Sequence, residues 1–184
     1  MKNSISILTS MLLISLILVS CENEDNEDKK NYLRIGETEY NLSSGLLDDN
    51  GPYRDVMEDF QYDGYNLDLK LVSSGITIST DEGLSGTGLM IAFEMFSSEE
   101  GKLSEGTYVY EDTKPYSTGT YDWAVYLTNW PLEESSNDEW VNITGKVAIE
   151  RNGSEYEIDI DCTDKNGKSI KGYYKGNLHY YKNY

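Results

Sequence analysis

The residues best suited to recognition chemistry are aromatic and lie in the second half of the chain. Tyr126 and Trp130 share one parity of the segment 121–130, and regular alternation places both side chains on its outward face. Trp140 has the outward parity at the start of the next segment. We predict that Tyr126, Trp130 and Trp140 form a surface that stacks on sugar rings beside the polar loop 131–139. The alternative is a cross-strand aromatic pair that only fastens the hairpin.

One carboxylate interrupts an apolar segment. Glu94 stands in the sequence LMIAFEMF, with Met90, Ala92 and Phe96 on its own parity. Burial would raise its pKa, as acid catalysis often requires. Lys70 has the outward parity of a nearby segment, so an ion pair between Lys70 and Glu94 is the competing expectation. Spacing assigns no second carboxylate to Glu94, and no catalytic residue is predicted.

Two clusters of acids and amides contain possible metal ligands. Asp161, Asp164 and Asn166 form the first cluster, and residues 48–51 (DDNG) form the second. Neither has the alternating ligand positions of a calcium loop. The turn preferences of Asp, Asn and Gly explain both clusters, so no metal site and no cofactor are predicted.

The histidine and the second cysteine do not indicate catalysis. His179 is the only histidine and no G-x-S-x-G sequence accompanies it, so we expect an exposed strand histidine. Cys162 continues the inward parity of Ile158 and Ile160, which predicts a buried, inert thiol.

The segments that carry these residues have the composition of strands. Short runs rich in Tyr, Val, Ile and Thr alternate with turn residues, most clearly in 141–180, where Asn-Gly pairs separate three alternating runs. Residues 55–62 are compatible with one short helical turn. We predict an all-β domain over residues 32–184. It is an antiparallel meander of about 9–10 strands, forming a sandwich or a flattened, lipocalin-like barrel.

The N-terminal residues have the organisation of a secretory signal. Lys2 is basic, and Ile5–Val19 is apolar and too short to span a bilayer, which needs about 20 residues. The sequence Leu18-Val19-Ser20-Cys21 then resembles the lipobox of bacterial lipoproteins. The resemblance implies that residues 1–20 are removed and that Cys21 carries the lipid anchor.

Acidic residues follow Cys21 directly. Five of the seven positions 22–28 are acidic, and such a segment cannot bury enough apolar surface to fold. Residues 21–31 are therefore predicted to be a lipidated, flexible tether. The acidic run resembles the surface-export signal of Bacteroidota-type outer-membrane lipoproteins, which implies an outer-membrane, lipid-anchored and surface-exposed protein.

The charge balance excludes one class of partner. Removal of residues 1–20 takes away one lysine and leaves 14 basic against 33 acidic residues, a net charge of −19. Nucleic acid needs a basic surface, so it is not expected as a partner. Contact with the membrane is expected through the lipid anchor alone.

Three longer stretches resemble a known group. The sequences LRIGETEYNLSSG, LSEGTYVY and GKVAIERNGSEYEIDIDCTDKNGKSIKGYYKGNLHYY resemble small Bacteroidota lipoproteins of unassigned function. These turn-and-strand patterns imply architecture and carry over no catalytic residues.

Three functions follow as hypotheses. The first is a non-catalytic surface lipoprotein with a binding or adhesion role, whose partner is a glycan or another surface protein. The second is a lipocalin-like carrier of a small apolar ligand, which requires a hollow interior. The third is a glycoside hydrolase, which requires two carboxylates about 5–10 Å apart in one cleft.

Overall fold

Strands make up the regular structure. The computed structural model describes residues 29–55, 60–79, 83–131 and 139–184, with only the backbone described at 55 and 60–62. These residues contain eleven strands and no helix. The strands are β1 (Tyr32–Ile35), β2 (Thr38–Asp55), β3 (Phe60–Ser73), β4 (Ile76–Ser79), β5 (Gly83–Gly86), β6 (Gly88–Ser97), β7 (Gly106–Tyr110), β8 (Thr120–Trp130), β9 (Val141–Asn152), β10 (Glu155–Asp164) and β11 (Ser169–Lys182).

Some sequence predictions fall outside this part of the chain. The signal segment, Cys21 and the acidic run lie outside the described residues, as do residues 56–59 of the predicted helical turn. The ends of that turn, Asp55 and 60–62, belong to β2 and β3. Among the described residues, none forms a helix with the length and hydropathy needed to cross a bilayer.

Nine strands close into a barrel in the order β1-β11-β10-β9-β7-β8-β6-β3-β2. Closure occurs where β2 pairs with β1 and also runs parallel to the end of β11, with Leu178 opposite Gly45. β4 and β5 form a separate two-stranded sheet. The all-β class is therefore confirmed, and the closed barrel is the observed form of the two predicted alternatives.

The predicted antiparallel pairing is correct for most neighbouring strands, but two pairs are parallel, and β7–β9 and β6–β8 pair out of the sequence order of a meander. Strands β9, β10 and β11 pair antiparallel in sequence order, as the Asn-Gly turns indicate. The pairs β7–β8 and β2–β11, however, are parallel. β2 and β11 are distant in sequence and meet where the barrel closes, whereas β7 and β8 are consecutive strands joined by residues 111–119 instead of a hairpin turn.

Large side chains fill the barrel interior. The inward residues of β3 and β6 are fully buried, and Phe93 meets Tyr121 edge to face with centroids 5.5 Å apart. Burial of each such side chain contributes about 1.5–3 kcal/mol. At Gly172 a Cβ atom would lie 2.9 Å from Leu33 Cδ1 and 3.2 Å from the Tyr32 carbonyl oxygen, so β1 approaches β11 closely at this position. The packed interior gives the outer face a rigid support.

A register shift in β8 decides which aromatic residues face outward. Glu94 lies opposite Trp123, but Met95 lies opposite Tyr121, so Asp122 is an additional residue in β8. A β-bulge of this kind moves the following residues to the opposite face. Trp123 therefore points outward, and Tyr126 points into the barrel.

Candidate ligand-binding groove on the outer face of the barrel

An exposed pair of indoles stands on the outer face. Trp123 in β8 is 42% exposed and Trp140, just before β9, is 39% exposed. Their ring centroids are 6.3 Å apart with an interplanar angle of 53°. We call Trp123 and Trp140 the indole pair. The sequence predicted Trp140 as one member of an aromatic pair, but the structure supplies Trp123 as its partner.

The other two predicted aromatic residues lie elsewhere. Tyr126 is 5% exposed and belongs to the interior core, so its predicted outward orientation is wrong. Trp130 is half-buried and packs on a separate apolar cluster with Val72, Ile76 and Met90. The structure therefore does not bring Tyr126 and Trp130 together with Trp140 on one surface.

Glu94 lies beside the indole pair. In antiparallel register it is opposite Trp123 on one side and Asp68 on the other, which places the three side chains on one face. Asn66 Nδ2 donates a hydrogen bond of 2.6 Å to Glu94 Oε1. Burial raises the pKa of Glu94 and the negative charge of Asp122 raises it further, although the Asn66 hydrogen bond opposes this shift. The pKa of Glu94 is therefore shifted in the direction that burial of a carboxylate produces.

The expected ion pair between Lys70 and Glu94 is not formed. Lys70 Nζ instead contacts Asp48 Oδ2 and lies 3.6 Å from Asp68 Oδ2. In the pairing of β3 with β6, Lys70 lies opposite Ala92, two residues along β6 from Glu94. Asp48 approaches Lys70 from β2, which pairs with the other edge of β3. The strand order, which brings β2 against β3, therefore decides that Lys70 pairs with Asp48 and not with Glu94.

A row of three amides leads to Glu94. Asn183 Nδ2 donates to Asn50 Oδ1 at 2.8 Å, and Asn50 Nδ2 donates to Asn66 Oδ1 at 2.7 Å. Asn50 Nδ2 also lies 3.2 Å from Asp68 Oδ1. An ionised carboxylate only accepts hydrogen bonds, so Asn66 must turn its NH₂ to Glu94 and its carbonyl to Asn50. The row therefore has a fixed direction and ends on carboxylates.

A cavity opens between this row and the end of β2. It has a volume of about 360 Å³ and is lined by Asn50, Pro52, Tyr53, Arg54, Asn66 and Glu94. We call this cavity, together with Asp68, the outer groove. Its size and its mixture of aromatic, amide and carboxylate groups are typical of a small-molecule or single-sugar site.

Aromatic rings support the far side of the groove. Phe96 follows Glu94 on the outward face of β6, and its ring lies 4.6 Å from Tyr53 and 4.9 Å from Tyr116, stacked on the latter. Burial raises the pKa of Tyr116 to about 12, and the nearby Asp122 contributes to the shift. Burial likewise raises the pKa of Asp122. Neither Asp122 nor Tyr116 was selected from the sequence as a site residue.

Three carboxylates around the groove have raised pKa values. For Asp68, as for Glu94 and Asp122, burial is the first cause; the nearby Lys70 opposes the shift of Asp68, and Glu94 adds to it. Within the described ranges, no group of three or more His, Cys, Asp or Glu side chains has metal-binding geometry. The arrangement is suited to accepting hydrogen bonds from a ligand.

The two acid-and-amide clusters take structural roles. Asp164 Oδ1 accepts from the backbone N–H of Asn166 and of Lys168, each at 2.8 Å, and this organises the β10–β11 turn. Asp49 is fully buried and accepts from Gly51 N at 2.9 Å and from the Tyr180 hydroxyl at 2.5 Å. Turn and strand-end hydrogen bonding accounts for these residues.

Cys162 and His179 lie where the sequence places them. Cys162 is 1% exposed, with Sγ 3.7 Å from the Tyr121 hydroxyl and 3.8 Å from the Lys146 carbonyl oxygen. Burial raises the pKa of this thiol, which favours its protonated form over the reactive thiolate. His179 is exposed on β11. The predicted environments of both residues are confirmed.

A second cavity lies at one end of the barrel. It has a volume of about 310 Å³, and its wall combines the apolar and aromatic residues Ile35, Tyr40, Tyr126 and Val141 with Thr38, Thr128, Glu139 and Lys168. We call it the mouth cavity, because the β1–β2 and β10–β11 turns surround it. Tyr126 forms part of its floor.

Comparison of the chain with protein-family models, with curated proteins and with solved structures finds no match.

Proposed function

We propose that this chain is a non-catalytic, surface-exposed outer-membrane lipoprotein that binds a glycan in its outer groove and on its indole pair. The observation that carries the proposal is the exposed pair Trp123–Trp140 directly beside Glu94 and its amide row. Aromatic faces stack on the apolar C–H faces of sugars, and amides and carboxylates bond their hydroxyl groups.

The exposure of the indoles supports binding over a purely structural role. Both residues leave about two fifths of their surface in contact with solvent. One valine and four tyrosines elsewhere on the described surface leave a similar or larger fraction, but only the two indoles stand together beside Glu94. An exposed aromatic patch rimmed by polar groups is typical of an interaction site. By analogy with bases on aromatic side chains, each stacked ring contributes about 1–3 kcal/mol, or about tenfold to a hundredfold in affinity.

Tryptophan fluorescence tests this site because the chain has three tryptophans and two of them form the pair. The mature chain with Cys21→Ser is screened on a glycan array, and each bound glycan is then titrated. In a Trp130→Phe variant the remaining emission comes from the indole pair alone, and we expect the ligand to change it. In Trp123→Ala/Trp140→Ala we expect binding to be lost while the melting temperature stays within a few degrees of the wild type.

Trp130→Phe is the matched control, since Trp130 packs on the apolar cluster away from the indole pair. Loss of glycan binding in Trp130→Phe, with binding retained in the double variant, would contradict the proposed site. No binding to any glycan would contradict the proposed function.

The lipid-anchored, surface-exposed localisation is part of the same proposal and rests on the sequence. Cys21→Ser is expected to move the protein from the membrane to the soluble fraction and to abolish labelling with radioactive palmitate. Replacing the five acids of 22–28 with alanine is expected to remove the protein from the reach of protease added to intact cells. Labelling of the Cys21→Ser protein would refute lipidation at this residue.

The mouth cavity supports a second candidate, a carrier of a small ligand with an apolar part. The interior below the cavity is filled by core side chains, so a ligand would be confined to about 310 Å³ at the mouth. Tyr126→Trp narrows this space and leaves the outer groove untouched. If Tyr126→Trp loses binding of a small apolar ligand but binds glycans with the same affinity as the wild type, the result would favour the carrier function.

The hydrolase hypothesis has one supporting observation. Asp68 and Glu94 are directly opposite each other in register, so two carboxyl groups lie side by side on the outer face, and Glu94 also lines the cavity. Incubation of each bound glycan with the protein, followed by product analysis, tests the hypothesis. Release of shorter sugars that is lost in Glu94→Gln would replace the binding role with a catalytic one.

A further inference from the structure

The amide row leaves the outer groove rich in hydrogen-bond acceptors. Each amide NH₂ described above donates along the row: Asn183 to Asn50, Asn50 to Asn66 and Asp68, and Asn66 to Glu94. The acceptors at the end of the row, Glu94 and Asp68, are carboxylates with two oxygens each. Because an ionised carboxylate has no proton to donate, the groups offered to a ligand at this end are mainly acceptors.

The charges around Glu94 are mostly negative. The elements packed beside it contribute Asp48 from β2, Asp68 from β3 and Asp122 from β8. The cations are Lys70, which contacts Asp48 and lies 3.6 Å from Asp68 Oδ2, Lys114, which acts on Asp122, and Arg54, which lines the cavity. Lys70 is therefore already neutralised by its own partners. The four carboxylates still outnumber the three cations, so a ligand anion at Glu94 would face a net negative surrounding.

On the basis of the glycan-binding function proposed above, we propose that the outer groove selects saccharides that donate hydrogen bonds and excludes acidic ones. Hydroxyl-rich neutral sugars and amino sugars supply donors to Glu94 and Asp68, and the indole pair stacks on the ring. Uronic acids, sialic acids and sulfated sugars bring anions against the carboxylates. Glu94 is the specificity-determining residue because it joins the amide row, the cavity and Trp123.

The exclusion is a local property of the groove. At about 0.15 M salt the Debye length is about 8 Å, so distant surface charges are largely screened while a carboxylate in contact with the ligand is not. The net charge of −19 on the mature chain therefore has a small effect at this salt concentration, and a single substitution at Glu94 has a large one.

The test compares three classes of glycan at 0.15 M salt with the mature Cys21→Ser chain. An array carrying neutral, amino and acidic saccharides identifies the bound class. Titrations then use β-1,4-linked oligomers of N-acetylglucosamine, glucosamine and glucuronic acid, together with each array hit. We expect binding by neutral or amino members and at least about tenfold weaker binding by acidic ones.

Two variants that each remove one negative charge test whether the discrimination against acidic glycans depends on Glu94. Glu94→Gln keeps the size of the side chain and adds an NH₂ donor, so we expect the ratio between neutral or amino and acidic glycans to fall by about tenfold. Glu150→Gln removes the same charge from an exposed position on β9 outside the groove and should leave the ratio unchanged. Thermal melts of both variants check that the fold is intact.

The outcomes separate the two proposals. Equal or tighter binding of acidic glycans would overturn the selectivity and leave the glycan-binding function standing. Equal effects of Glu94→Gln and Glu150→Gln, or no effect of either, would overturn the role of Glu94. Absence of binding to all three classes would overturn the glycan-binding function itself, and the selectivity with it.

Discussion

Lys70 is the residue whose removal tests the charge arrangement of the outer face most directly. Its ammonium group contacts Asp48 and lies 3.6 Å from Asp68 Oδ2. The Asp48 side chain is only 11% exposed, and that of Lys70 is 23% exposed. Lys70→Met keeps most of the aliphatic stem and removes the charge, so the buried carboxylate of Asp48 and the half-buried carboxylate of Asp68 lose their shared cation.

The expected loss of stability in Lys70→Met follows from how deeply Lys70 and Asp48 are buried. Removing one partner of a fully buried ion pair costs about 3–5 kcal/mol, whereas an exposed pair contributes about 0–1 kcal/mol. Lys70 and Asp48 lie between these limits, so we expect Lys70→Met to lower the free energy of unfolding by about 2 kcal/mol. For a domain of this size that corresponds to a fall of about 4–8 °C in melting temperature.

Double-mutant cycles measured by urea unfolding identify the partner of Lys70. The cycle of Lys70→Met with Asp48→Asn should give a coupling energy of about 1 kcal/mol or more, because the neutral pair leaves no unpaired charge. The cycle of Lys70→Met with Glu94→Gln should give less than about 0.5 kcal/mol. A larger coupling for Glu94 than for Asp48 would refute the observed arrangement and restore the one expected from sequence. A melting temperature of Lys70→Met within 1 °C of the wild type would refute the estimate of magnitude.

Three further predictions concern the barrel and its titrating groups. Gly145→Ala places a Cβ atom 2.3 Å from a backbone carbonyl oxygen of β10, and should destabilise the fold by about 3 kcal/mol in urea unfolding. Gly153→Ala, which meets no atom within 4 Å, should cost about 1 kcal/mol, and equal losses would contradict the close packing at Gly145. The Cys162 thiol should stay unreactive to Ellman's reagent in the native protein and react in urea, while fast native labelling would show that it is accessible. The folded-state pKa values of Asp68 and Glu94 are raised, so folding binds protons and their contribution to stability is lost as pH rises through those values. The melting temperature should therefore rise as pH falls from 7 toward about 4, with a smaller slope in Glu94→Gln, and a rise with increasing pH over this range would contradict the shifts.

Much of the fold is readable from local patterns in the sequence. The alternation in 141–180 and the Asn-Gly turns predict β9, β10 and β11, and Cys162 and His179 fall on the predicted sides. The faces of β11 follow the alternation less closely, since Tyr173 is buried and Tyr180 is exposed. The all-β class follows from the same signals along the chain. These features depend on neighbouring residues and on turn chemistry, which are local properties of the chain.

The candidate site, in contrast, is decided by the tertiary structure. Regular alternation from Tyr121 predicts that Tyr126 faces outward and that Trp123 faces inward. The additional residue Asp122 shifts the alternation by one, so that Trp123 faces outward and Tyr126 faces inward. Nothing in the local sequence marks this bulge, because it arises where β8 must match the register of β6 while the sheet closes. Similarly, Lys70 contacts Asp48 and Asn66 contacts Glu94 only because barrel closure places β2, β3 and β6 side by side. The sequence determines which residues can be strands and which can face water; long-range pairing determines which of those residues meet.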